Sequence, residues 1–467
     1  MDVLSRFRVE FYECLYARAD ALFELADAVL CAEGPVRTLV ELSLAAEHRR
    51  GHGAMYAALD RGWCEPARLR RTLAGLPLPK AADGRIALAV DVSHWLRPDA
   101  PTSDERLFCH VYGRGDRSRD QLVPGWPYSF VAALETGRTS WTALLDAVRL
   151  GPADDVTLAT TAQLRDVVVR LIDAGHWSEG DPEILIVMDS GYDTAYLAHS
   201  LTDLPVVLVG RLRSDRVMRR NPGPARTCPG RPRKHGGVLG LSRPDTWHTP
   251  DITTTTATTR YGTAETVAWD RMHPRLSHRG PWLEHAQDEL PVLHGTLIRL
   301  NVDRLPGDRS PKPVWLWCSA TGATPADVNR WWQSFLRRFD LEHTFRFMKQ
   351  TLGWTCPRFR HADTADLWTW LIIAAHTQLR LARSLAEDLR RPWEKPAEPR
   401  RLTPARVRRG FRNLHPTAVR PAAAPKPSRP GPGRPPGSKN KQRATRHDVG
   451  KTVKRAKTIQ KHQAHQR

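Results

Sequence analysis

Three acidic residues in this chain stand at places where chemistry is often mounted. Asp91 closes the apolar run IALAVD and Asp189 closes ILIVMD, so two runs of buried-strand character each end on a carboxylate at a C-terminal edge. One such aspartate is adequately explained as a turn or cap residue; two on separate strands favour a shared site. Glu342 lies in FLRRFDLEHTFRFMKQTLGW, residues 335–354, a charged helical stretch with aromatic residues on most of its turns. At about 100° per residue, Phe335, Arg338, Glu342, Phe345 and Lys349 share an arc of roughly 80°. A core stripe would be purely apolar, and a solvated face would not gather phenyl rings. An i,i+4 ion pair accounts for Arg338 and Glu342 but leaves Lys349 unexplained.

Carboxylates from two strands and one helix can coordinate two Mg²⁺ (or Mn²⁺) ions about 4 Å apart, which suits the attacking and leaving oxygens of a phosphodiester. Arg338 and Lys349 would then hold backbone phosphates.

The elements that must position these residues follow from hydrophobic period. Residues 1–80 read as helical, with ADALFELADAVL and VRTLVELSLAAEHRR repeating apolar residues every three or four. From residue 85 the pattern becomes strand-like in RIALAVDVS, RLFCHVYG and YSFVAALE, turns helical in TAQLRDVVVRLIDAGHW, and returns to buried strands in EILIVMDSG and LPVVLVGRLR around the helical DTAYLAHSL. The order of three strands, helix, strand, helix, strand predicts a mixed α/β layer. Residues 214–323 carry Thr-rich, Pro-punctuated strand signals. A long helix is expected from Thr324 as N-cap and Pro325 at the first helical position, followed by the apolar helix ADTADLWTWLIIAAHTQLRLARSLAEDL.

Charge narrows the partner. The formal net charge is +21, yet residues 400–467 alone hold 20 Lys and Arg against Asp448, which leaves the rest nearly balanced. A second basic segment, residues 211–243, has ten Lys and Arg against Asp215. Two such segments point to a polyanion, with nucleic acid foremost. Seven cysteines without CxxC or zinc spacing fit free thiols in a reducing cytosol, and neither a signal peptide nor a membrane span is expected.

These residues together resemble bacterial insertion-sequence transposases of the DDE type. A subgroup carries Y-(2)-R-(3)-E-(6)-K, and here Phe335, Arg338, Glu342 and Lys349 have that spacing with only the first position changed. The D-x-G-[YF] motif at the second acid is matched by Asp189-Ser190-Gly191-Tyr192. The resemblance implies a ribonuclease-H-like core in two parts, 85–213 and 324–390, around a β-rich insertion at 214–323. The helical N-terminal region at 1–80 reads either as a unit for DNA end recognition or as ordinary helical packing, and the composition of 391–467 reads as a basic Pro-rich linker and disordered DNA-binding tail. Asp91, Asp189 and Glu342 would be catalytic ligands of two ions, Arg338, Lys349 and Phe335 would contact DNA, and paired ends would be held by a homodimer in the nucleoid. Without a phenolic hydroxyl, Phe335 keeps only stacking. An inactive or domesticated DNA-binding copy and a nuclease without strand transfer are the competing readings.

Two Gly-Arg-Pro segments extend the expected DNA contact, PGRPRKHGG at 229–237 with Arg231, Arg233 and Lys234, and PGRPPGSKNK at 432–441 with Arg434 and Lys439. Each reads either as an AT-hook-like arm for a narrow minor groove or as a basic loop on phosphates. Trp315 and Trp317 read either as holders of a flipped base or as strand packing.

Overall fold

The computed structural model describes residues 2–111, 121–137, 139–222, 233–285, 287, 289–305, 311–426, 435–439 and 442–449. Five helices open the chain: α1 (Val3–Glu13), α2 (Ala19–Cys31), α3 (Leu39–Ser43), α4 (His52–Arg61) and α5 (Pro66–Ala74). A small antiparallel ribbon of β1 (Leu15–Ala17) and β2 (Trp63–Cys64) ties them together.

The strands that follow are β3 (Ala87–Leu96), β4 (Leu107–Val111), β5 (Gln121–Leu134) and β6 (Thr142–Arg149). After α6 (Val156–Asp173) come β7 (Ile184–Met188), α7 (Thr194–Ser200) and β8 (Val206–Leu212). Within the sheet β6, β5, β3, β7 and β8 lie side by side in that order; β3 is antiparallel to β5 and parallel to β7, and β7 is parallel to β8. This mixed α/β arrangement is consistent with the expected ribonuclease-H-like core.

Some expected elements differ. The core sheet has four strands before α6, β3 to β6, rather than three: TALLDAVR, which the sequence reading did not assign, is β6. Its Asp146 is buried, and it is tolerated there because Arg70 of α5 and Arg170 of α6 each pair with it at 2.8 Å.

Residues 214–323 add β9 (Val217–Arg219), β10 (Val238–Gly240), β11 (Ile252–Thr258), β12 (Gly262–Pro274), β13 (Gly295–Val302) and β14 (Val314–Cys318). They extend the same sheet, with β14 antiparallel to β8. The helices α8 (Pro325–Arg337), α9 (Phe339–Gln350), α10 (Ala362–Leu381) and α11 (Pro404–Leu414) complete the fold, so the single long helix expected from Thr324 is two, divided at Arg338. Thr324 and Asp327 cap α8 reciprocally, as the sequence signalled.

Alternation sorts the sheet into two packed faces. Leu88, Val90, Ile186 and Met188 pack against Leu164, Val168 and Leu197 of α6 and α7. Ala89, Leu185 and Val187 face the other way, into the core shared with α8, α9, α10 and the N-terminal helices.

The C-terminal expectation needs correction over residues 404–423. The helix α11 is not a linker: Val407 and Phe411, one turn apart, are fully buried. Its cations are used locally, with Arg408 donating to the carbonyls of Val29 (3.0 Å) and Gly34 (2.9 Å) and Arg412 to that of Cys31 (2.9 Å). The C-terminal carbonyls of α2 thus gain donors of the sign its dipole favours. Farther along, His447 bonds Pro101 and Arg106 of the core. Most of the tail beyond 426, including Arg434, lies outside the described residues. No described helix is long and apolar enough to cross a membrane, and the six described cysteines are free.

Candidate active site

Register brings the two aspartates together. The parallel ladder of β3 and β7 pairs Ala87 with Leu185 and ends with Val90 opposite Met188, so Asp91 and Asp189 are the next residue on each strand. Neighbouring strands lie about 4.8 Å apart, and residues two apart share a face. Asp91 therefore projects with Ala89, and Asp189 with Val187, toward the side covered by α8 and α9. The parallel ladder stops at Val90 but the strand does not: β3 continues to Leu96, pairing with β5 where Asp91 faces Phe130, so Asp91 lies within its strand and not at its end.

The helix α9 supplies the third acid. Leu341, Phe345 and Met348 are buried, and the Phe345 ring lies 5.0 Å from that of Phe130, next to the Asp91 position. Thr344 meets Thr142 of β6 at 2.9 Å. With these contacts seating one face, Glu342 in the first turn is turned toward the same guanidinium as the two aspartates.

All three carboxylates converge on one guanidinium. Arg338, at the joint between α8 and α9, donates through Nη1 to Asp91 Oδ2 and through Nη2 to Asp189 Oδ2 (3.4 Å) and Glu342 Oε1 (3.3 Å). Its side chain is 3% exposed, against 19% for Asp91, 33% for Asp189 and 44% for Glu342. Beneath it lie the rings of Phe339 at 5.3 Å and Phe335 at 5.9 Å. The carboxylates face this group rather than one another, and their oxygens do not all come within 4.8 Å. The other oxygen of Asp91 accepts from Val92 N–H, and that of Asp189 from Ser190 N–H.

Electrostatics reflect the crowding. Burial, aided by Glu342 and Asp189, pushes the Asp91 carboxyl up to about 6 despite Arg338. Burial alone would lower Arg338, but the three carboxylates outweigh it and hold the guanidinium above its ordinary value. Burial lowers Lys349 to about 8; its ammonium lies 5.5 Å from the Trp354 ring, with no carboxylate paired to it among the described residues. The Tyr192 hydroxyl, from the D-S-G-Y stretch, is buried without a partner.

Some expected residues are placed elsewhere. Phe335 is 2% exposed and belongs to the core, so its ring packs under Arg338 and is not presented to DNA. Phe345 is likewise core, and the aromatic content of the charged arc is therefore packing. Trp315 and Trp317 are buried too, the first stacked on Trp269 at 5.8 Å and the second donating to Met272 O at 3.0 Å. Arg233 and Lys439 are exposed, Lys234 pairs with Glu289 at 3.1 Å, and Arg231 lies outside the described residues. Arg211 of β8, which sequence reasoning did not single out, approaches Asp189 Oδ1 at 3.6 Å; its position in the basic run RLR was the only available signal.

The donor set suits a hard divalent cation. Three carboxylates against Arg338 and Arg211 leave a surplus of negative charge, and oxygen ligands of this kind fit Mg²⁺ or Mn²⁺. A second group with ligand atoms in reach, Cys31, Glu47 and His415, is committed elsewhere: Asp27 and Arg420 take both His415 nitrogens.

No curated protein matches the chain. The sequence model of one family, described as DDE superfamily endonuclease, matches residues 10–275. That span includes Asp91 and Asp189 and stops short of Arg338, Glu342 and Lys349. It covers more than half of the sequence, and the chain belongs to the DDE superfamily endonucleases.

Proposed function

We propose that this protein is an insertion-sequence transposase that cleaves phosphodiesters at the ends of its element and joins the freed 3′ hydroxyls to target DNA. The observation that carries this reading is the adjacent register of Asp91 and Asp189, with Glu342 of α9 meeting the same Arg338 guanidinium as both. Membership of an endonuclease superfamily supports the reaction class.

Asp91, Asp189 and Glu342 would hold two divalent ions, Mg²⁺ or Mn²⁺. Such ions, when bound, supply a nucleophile at neutral pH and neutralise charge on the phosphoryl oxygens. The chain's own part is to fix those carboxylates on two neighbouring strands and a packed helix, a rigid mounting that keeps reacting groups in line. Lys349 supplies a cation for the DNA backbone, with no competing carboxylate among the described residues. Exposed Arg233 and Lys439 add phosphate contacts, with Arg231 and Arg434 in the same basic segments, while the N-terminal helices recognise the element ends. Two copies would act on paired ends, one active site for each.

The test is cleavage of a supercoiled donor plasmid with Mg²⁺. Replacing Asp91, Asp189 or Glu342 by Ala lowers cleavage by at least about 10³-fold, the scale of losing a group that stabilises transition-state charge. DNA binding in a gel-shift assay without divalent metal is retained, since carboxylates do not bind phosphate. Wild-type cleavage by any one variant removes that residue from the site, and nicking without joining replaces the transposase by a nuclease.

A further inference from the structure

We propose that Arg338 is a built-in competitor for the cation site: in the DNA-free protein its guanidinium holds the three carboxylates, and a DNA phosphate that draws it away opens them to divalent metal. This rests on the metal-binding reading above and concerns its regulation.

The two roles of Arg338 exclude each other in space. Nη1 is committed to Asp91 and Nη2 to Asp189 and Glu342, while Nε is buried with no partner. A guanidinium that is 3% exposed, with its donors turned into the carboxylate cluster, cannot also make a fork-like contact to a phosphate outside it. Binding DNA through this residue therefore means leaving the acids. The cation that leaves and the cation that enters use the same oxygens.

Three features make that exchange feasible. Two guanidiniums, Arg338 and the more exposed Arg211, among three carboxylates still leave the cluster with a negative charge that attracts a further cation. The carboxylates are more exposed than the arginine, so an ion reaches them from the solvent side. Arg338 also sits where α8 gives way to α9, with three-residue bonds from Arg338 N to Phe335 O and from Leu341 N to Arg338 O, both 3.0 Å. A tightened turn of this kind is a place where a helix adjusts. Lys349 offers the contrast, because with no carboxylate partner among the described residues it can meet phosphate without uncovering the acids.

The consequence is a coupling between DNA and metal that works in both directions. If DNA raises metal affinity by some factor, metal raises DNA affinity by the same factor. Cutting chemistry is then assembled on DNA and held off elsewhere.

The experiment is Mn²⁺ binding to the full-length protein, followed by the electron paramagnetic resonance of free Mn²⁺, for wild type, Arg338→Gln, Arg338→Lys and Asp91→Asn. Without DNA, Asp91→Asn weakens binding, Arg338→Lys stays close to wild type, and Arg338→Gln tightens binding roughly 5- to 150-fold, the usual span of a coupling between sites. A duplex copied from the DNA bordering the gene tightens binding to wild type and leaves Arg338→Gln unchanged. If Asp91→Asn weakens binding while Arg338→Gln matches wild type, the competitor role is overturned and the metal site stands. If Asp91→Asn changes nothing, both fall. Should Arg338→Gln fold poorly, equal wild-type affinity with and without the duplex still overturns the coupling.

Discussion

Two arginines of this chain are buried among acidic groups, and they are built to opposite specifications. Arg8, in the helical region, is fully buried and pairs bidentately with Asp27 at 2.7 and 2.9 Å. Its remaining donors reach Gln378 Oε1 at 2.5 Å and Val419 O at 2.7 Å, and His415 Nε2 completes Asp27 at 3.0 Å. Arg338 meets three carboxylates, two of them at 3.3 Å or more, and leaves Nε without a partner. Matched charge and closed geometry mark a structural pair; surplus charge and loose geometry mark a place prepared for something else.

The carboxyls respond accordingly. For Asp27 burial alone would raise the pKa, but His415 and Arg8 outweigh it and hold the group below its ordinary value of 3.8. For Asp91 burial wins, and the group rises to about 6.

The largest effect that tests this contrast is on stability. Arg8→Ala strands Asp27 in the core and costs about 3 to 5 kcal/mol, measured by urea unfolding, with no recovery on adding Mn²⁺. A loss under about 1 kcal/mol would place Arg8 in the same loose class as Arg338 and dissolve the comparison.

A smaller effect is on pH dependence. The lowered pKa of Asp27 means its contribution to stability is present above about 3.8 and is lost only as pH falls through its folded value. The raised pKa of Asp91 means the site takes up a proton as pH falls through about 6. Below about 6 the Mn²⁺ affinity of the DNA-free protein falls about tenfold per pH unit, since proton and ion compete for one carboxylate, while the stability of the metal-free protein rises as pH falls from about 6 toward 3.8, because the folded state takes up a proton that the unfolded chain does not. Unchanged Mn²⁺ affinity from pH 7.5 to 5 would remove Asp91 from the site.

Much of this was legible in the chain itself. Acid type, strand-end context and the Arg338 to Lys349 spacing picked out the participants, and Thr324 with Pro325 fixed where α8 begins. The pairing of Val90 with Met188, which makes Asp91 and Asp189 neighbours, is a long-range register that no local pattern encodes. β6 was missed because its Asp146 is neutralised by arginines 76 and 24 residues away. The period of the charged helix grouped Phe335 and Phe345 with the polar residues, but only packing against β3 and β5 tells which edge of an arc turns inward. The basic composition of 404–414 hid a helix, since its cations serve carbonyls of α2.

The most direct measurement is anomalous diffraction from crystals of the full-length protein soaked in Mn²⁺. The account predicts a manganese peak bounded by the carboxylates of Asp91, Asp189 and Glu342, with the Arg338 guanidinium moved from between them. A well-ordered site that keeps Arg338 in place and shows no peak at saturating Mn²⁺, with DNA as well as without it, would contradict it.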